Sequence, residues 1–168
     1  MTSTPPPNLT MGRAKLLSGA WEESGPWFER CTVICPNNAL AYYNLGLRAV
    51  ITQSDPNSKD LAMQALSLSP IDPLQYAFLA TRAFGHVAAG ELDEAVEWAD
   101  KAAIAPRAHH LIVAIAAAVN GMAGNEERRR EWLATLKARY PAFEPEQFPR
   151  SFPIRDEGLK RRFVEQLH

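Results

Sequence analysis

Cys31 and Cys35 stand four residues apart, a spacing that puts both thiols on one face of a helix, where a pair could share a metal or a redox role. His86, His109 and His110 are a second candidate set, since three imidazoles suit zinc. Adjacent helical residues diverge by about 100°, however, so His109 and His110 do not aim at one ion from a helix. The run Arg128-Arg129-Arg130 is flanked by Glu126, Glu127 and Glu131, which makes it a solvated helix face rather than a phosphate clamp. The chain has no phosphate loop ending in Gly-Lys-Ser/Thr, no glycine triplet opening a nucleotide fold, no G-x-S-x-G and no H-E-x-x-H. No catalytic residue, metal ligand or cofactor is therefore assigned.

The elements that could hold such groups are bounded by composition. The chain has 168 residues, 46% hydrophobic and 22% charged, with 18 Lys+Arg against 19 Asp+Glu. These values describe one globular domain, and the balance of charge leaves no footprint for nucleic acid or an anionic membrane. The longest apolar stretch, Leu111 to Val119, is far shorter than the ~20 residues that span a bilayer. Two cysteines build no disulfide framework, and Met1 to Thr10 has no apolar signal core, so a reducing, cytoplasmic setting is expected.

The 13 prolines act as punctuation, because proline is costly inside a helix. They leave long runs from 74 to 105 and from 107 to 140, each split by a glycine, Gly90 or Gly124, where apolar periodicity resets. Each run is expected to be a helix hairpin. Gly90 and Gly124 are 34 apart, and the same offset carries Leu79 to Val113, Ala83 to Ala117 and Trp98 to Trp132. In the front half it carries Gly12 to Gly46, Phe28 to Ala62, Cys31 to Ala65 and Pro36 to Pro70. The halves join with a shift of 37, from Gly46 to Ala83 and from Ala65 to Ala102. The expected hairpin turns fall near Gly19, Gln53, Gly90 and Gly124.

This period, with Tyr42-Tyr43-Asn44-Leu45-Gly46 in a first helix and Ala65-Leu66-Ser67-Leu68-Ser69-Pro70 closing a second, resembles the tetratricopeptide repeat. The resemblance implies an all-α, helical-hairpin solenoid forming one domain over 1–168, with repeats at 5–38, 39–72, 76–109 and 110–143 and a C-terminal cap over 144–168. Cys31 then falls where the repeat wants a small buried residue, which makes it a core thiol. Arg129 departs from the family, which usually keeps an alanine there. Ser24-Gly25-Pro26 falls inside the second helix of repeat one, which is expected to start late with Ser24 as its cap and Pro26 in its first turn. Asp55-Pro56 and Asp72-Pro73 each offer a capping carboxylate before a proline.

Past Pro145, Pro149 and Pro153, Asp156 can cap a helix of residues 157–167 with Leu159, Phe163, Val164 and Leu167 as its apolar stripe. A solenoid needs such a cover at its end, and this helix is expected to lie against repeat four. The combination Pro70-Ile71-Asp72-Pro73-Leu74, Gly90 with Ala95-Val96-Glu97-Trp98-Ala99, Tyr140-Pro141 and Phe152-Pro153-Ile154-Arg155-Asp156 looks like the repeat region at the C-terminal end of bacterial class III nucleotide cyclases and winged-helix transcriptional regulators. There the repeats are taken as a sensory or interaction part. Few residues precede the repeats here, so the chain reads either as a stand-alone relative or as an excised C-terminal region.

The first helices carry a second apolar stripe. In repeat two it is Leu40, Tyr43, Leu47 and Val50; in repeat three Ala77, Ala80, Phe84 and Val87; in repeat four Leu111, Ala114 and Ala118. The resemblance places this stripe on the concave groove where such proteins bind ligands. Lys, Arg and Asn are missing from those places, which argues against a grip on an acidic peptide. The stripe points to a docking slot for a partner helix or apolar peptide, with Tyr43 and Phe84 as anchors. Two other readings stay open: small alanines let the stack curl tightly, or residues 1–10 or a second subunit fill the groove. The expected function is a non-enzymatic protein-binding scaffold of bacterial style, with self-association left open. The alternative is the regulatory end of a cyclase or transcription regulator whose effector lies elsewhere.

Overall fold

The structure, a computed structural model, describes residues 7–53 and 57–168. The described residues fold into ten helices and no strand: α1 (Pro7–Leu17), α2 (Trp21–Ile34), α3 (Ala39–Thr52), α4 (Ser58–Leu68), α5 (Gln75–Ala89), α6 (Leu92–Ile104), α7 (His110–Met122), α8 (Glu126–Arg139), α9 (Gln147–Ser151) and α10 (Glu157–Leu167). Helices α1 to α8 form four consecutive hairpins, each helix packing on the next, and the odd-numbered helices also touch one another in sequence. The odd helices are thus the inner layer of an all-α helical-hairpin solenoid, with the even ones outside.

The turns lie where the sequence puts them. Gly19, Gly90 and Gly124 take φ of 83°, 76° and 78°, the left-handed region that stops a helix at little cost only for glycine. Gln53 adopts φ 55° at the end of α3 without that advantage. Close approach inside a hairpin is set by Gly46. A Cβ there would meet the Ser58 carbonyl at 3.2 Å and Leu61 at 3.3 Å, so the small residue is what lets α4 lie against α3.

Three local expectations change. Helix α2 begins at Trp21, so Ser24 is no cap: it is buried in the second turn and its hydroxyl donates to the Trp21 carbonyl at 2.6 Å. Pro26 sits inside the helix on its exposed side, and Arg48 Nε also donates to the Trp21 carbonyl, at 3.2 Å, holding the turn before the proline from a neighbouring hairpin. Asp72 does not cap α5, which starts at Gln75; its carboxylate accepts from the Leu74 N–H at 2.9 Å and from the Ser69 hydroxyl at 3.0 Å, closing the loop instead. The Asp55-Pro56 pair lies outside the described residues.

Two apolar clusters form the core. One joins α5 to α8 with the C-terminal segment, and the other joins α1 to α5. Phe152 packs against both.

Candidate functional site

Helix α10 forms over Glu157–Leu167, capped by Asp156, whose carboxylate accepts the Leu159 N–H at 2.6 Å. It packs on α7, the first helix of repeat four. Arg129 Nε on α8 donates to the Gln166 carbonyl at 2.8 Å, and its side chain is 14% exposed. That corrects the view of Arg128-Arg129-Arg130 as a purely solvated face. Arg129 thus ties the tail helix to α8.

The tail does more than cover an end. After α8 the chain turns back across the inner layer, and Phe148, Ile154 and Phe163 become buried against α5 and α7. The Phe84 ring of α5 stacks with Phe163 at 4.6 Å, Phe152 at 5.3 Å and Phe148 at 6.5 Å. The Arg155 N–H reaches the Ile51 carbonyl of α3 at 2.8 Å, and the Arg155 guanidinium lies 3.3 Å from Glu22 of α2. One segment therefore runs from repeat four across the inner face to α3 of repeat two, and its Arg155 reaches on to α2.

This alters the expected groove. Phe84, Val87, Ala114 and Ala118 are buried in one cluster with Phe148, Ile154, Leu159 and Phe163, so at these positions the concave surface is core rather than an open slot. Val50 joins the same cluster. Tyr43 is also buried, its ring 5.0 Å from Phe78. Leu47 and Ala80, both buried, and Leu111, half-buried, line a narrow pocket of about 130 Å³ beside Ser151 and Phe152. Only Leu40, half-buried, and the edge of Tyr43 border a wide opening.

That opening is an apolar cleft of about 480 Å³ between α1 and α3, lined by Leu9, Thr10, Arg13, Ala14, Leu17, Leu40, Tyr43, Asn44 and Leu74. Leu17 is 46% exposed at its rim. Arg13 donates to the Asn44 side chain at 2.9 Å and lies 5.3 Å from the centre of the Tyr43 ring, so the only cation among the described residues of the cleft wall is already oriented. Sequence reasoning missed Arg13 and Leu17 because the groove stripe was followed through repeats two to four, not into α1. It missed Phe148 and Phe152 because prolines 145, 149 and 153 marked that stretch only as a helix breaker.

No protein-family model and no curated protein matches the chain.

The histidines do not converge. His86 Nδ1 lies 2.7 Å from Glu91 Oε2, which also takes Lys59 Nζ at 2.6 Å, and these hydrogen bonds hold the Glu91 carboxyl below its ordinary pKa. The three groups link α4 to both arms of the third hairpin. His109 is the N-cap of α7, its Nδ1 accepting the Leu111 N–H at 3.3 Å, and its ring lies 5.5 Å from His110 and 5.4 Å from Tyr76. Burial, then the neighbouring His110, pushes the His109 pKa down. Among the described residues no group of three or more His, Cys, Asp or Glu is placed to hold a metal. Cys31 is buried and Cys35 exposed, and burial raises the Cys31 thiol pKa, away from the reactive thiolate. No described helix is long and apolar enough to cross a membrane.

Proposed function

We propose that the chain is a non-enzymatic, cytoplasmic interaction module of the tetratricopeptide type, which docks a partner helix or apolar peptide on its concave side. The docking position is the α1–α3 cleft, not the whole groove. The observation that carries this reading is the cleft itself. It is open and apolar, large enough for two or three side chains, and it holds one oriented arginine at its wall. Recognition sites commonly combine an apolar floor with a few placed polar groups in this way. A docked apolar helix face would cover Leu17 and Leu40, with a hydrogen-bonding group set against Arg13.

The test is recovery of partners from the native host with the wild-type chain and with Leu17→Glu in parallel. Leu17 is exposed, so the substitution is expected to leave helicity and thermal unfolding unchanged while a specific partner is lost. A partner retained by Leu17→Glu would place docking elsewhere, for instance on the exposed Ile34, Leu68 and Ile104 at the ends of the outer helices.

A further inference from the structure

The α1–α3 cleft holds a cation and no acid to match it. Neither the cleft nor the 130 Å³ pocket beside it has an Asp or Glu among its lining residues. A guanidinium carries five N–H donors in a fixed plane. Among the described residues the one acceptor for those of Arg13 is Asn44 Oδ1, at 2.9 Å. Asn44 is itself buried, and its amide nitrogen donates to the Leu40 carbonyl at 2.7 Å, which fixes the oxygen that Arg13 meets. With the Tyr43 ring 5.3 Å away, the guanidinium is aimed by its neighbours and keeps donors to spare. A charged group held in this way is matched by an anion, and a planar carboxylate fits the fork of donors best.

The rest of the wall fixes what the carboxylate is attached to. Leu17 and Leu40 give the cleft its apolar surface, and its 480 Å³ falls within the range of about 300–1,000 Å³ usual for small-molecule sites. Arg13, Leu17 and Tyr43 also line the 130 Å³ pocket, whose further walls include Leu47, Ile51, Ala80 and Phe152. That pocket has room for about four groups the size of a water molecule, so it takes the end of a slim chain and not the face of a helix. Resting on the reading of this cleft as the open docking position, we infer that it binds an unbranched aliphatic carboxylate of medium length. The carboxylate pairs with Arg13, and the chain lies against Leu17 and Leu40 with its end toward the narrow pocket. A bound acid covers the same leucines as a docked partner helix, so the two exclude each other.

The test is calorimetric titration of the full-length chain with octanoate and with octan-1-ol, which has the same chain and no charge. One site per chain is expected, with octanoate bound at least tenfold tighter than the alcohol. Arg13→Gln is expected to lose that preference while helicity and thermal unfolding stay as in the parent, and Arg13→Lys to keep part of it. Equal affinity for acid and alcohol, an unchanged preference in Arg13→Gln, or no binding of octanoate at millimolar concentration overturns the inference. If Arg13→Gln loses its helical signal, the decision passes to nuclear Overhauser contacts between octanoate and the wild-type chain. Contacts to Leu40 and Tyr43 support the inference; contacts confined to the exposed Ile34 and Ile104 overturn it. The Leu17→Glu recovery reads protein docking without any added acid, so a failure to bind octanoate leaves the docking reading standing, and loss of that reading leaves the titration to be judged by itself.

Discussion

Leu47 and Phe84 occupy equivalent places on successive inner helices, 37 residues apart, and both are buried, yet their surroundings differ. Phe84 is stacked under three rings from the tail and is fully shielded from solvent. Leu47 borders a pocket that opens toward the α1–α3 cleft. The same apolar stripe serves as core in the C-terminal half of the inner face and as the floor of an opening in the N-terminal half. The difference lies in the tail, whose Phe148, Phe152 and Phe163 stack over Phe84, whereas beside Leu47 the described tail residues in the pocket wall are Ser151 and Phe152 alone. An apolar stripe on an inner helix therefore does not define a binding surface; what lies over it does.

The largest effect is expected where the seal is tightest. Phe84→Ala should cost about 3–5 kcal/mol, since it empties a fully buried aromatic site, whereas Leu17→Ala on the open half should stay within about 0.5 kcal/mol. Urea midpoints of the two variants measure this contrast directly. Similar losses in both would erase the distinction between the halves. For the same reason Phe84→Glu is a folding mutation here, and it cannot serve as a probe of binding.

Gly46→Leu comes next. Its side chain would enter the space now held at 3.2–3.4 Å by Ser58, Leu61 and Thr81, and overpacking of this kind costs about 1–3 kcal/mol. An unchanged melting temperature would mean that α3 and α4 are not in close approach. Smaller still is Asp156→Ala, which removes the cap of α10 and should cost about 0.5–2 kcal/mol, read as earlier thermal unfolding.

The smallest effect concerns pH. His109 has a folded-state pKa below the ordinary 6.5, so the unfolded chain binds the proton more readily. Its contribution to stability is complete above 6.5 and is lost as pH falls from there through the lowered value. Protonation of Nδ1 also removes the acceptor that caps α7 and sets a positive charge at that helix N-terminus. His109→Asn keeps a capping acceptor without a titrating group, and should flatten stability between pH 7 and 5 relative to the parent. A parent whose stability already fails to fall over that range would contradict this placement of His109.

Much of the architecture was legible in the sequence because its signals are local. Gly90 and Gly124 mark turns by backbone freedom alone, and Asp156 with Leu159, Phe163 and Leu167 marks both the start and the apolar face of α10. Which surface that face meets is a tertiary matter. The stripe says that one side of α10 is apolar but not that Phe163 turns inward to Phe84. Arg129 was misleading for the same reason, since a run of arginines among glutamates looks solvated until a carbonyl from 37 residues away is laid across it. Phe148 and Phe152 had a visible signal, the repeated Phe-Pro dipeptide, but its meaning depended on a groove that only the fold supplies.

Hydrogen exchange of the free full-length chain, followed by mass spectrometry, tests most directly whether the inner face is closed in one half and open in the other. Amides of α5 and α7 should exchange only through global unfolding, because the tail packs over them, while those of α1 should exchange by local opening at lower free energy. Protection that is equal in α1 and α7, or α7 amides that exchange as readily as those of α1, would contradict the division of the inner face on which the proposed docking site depends.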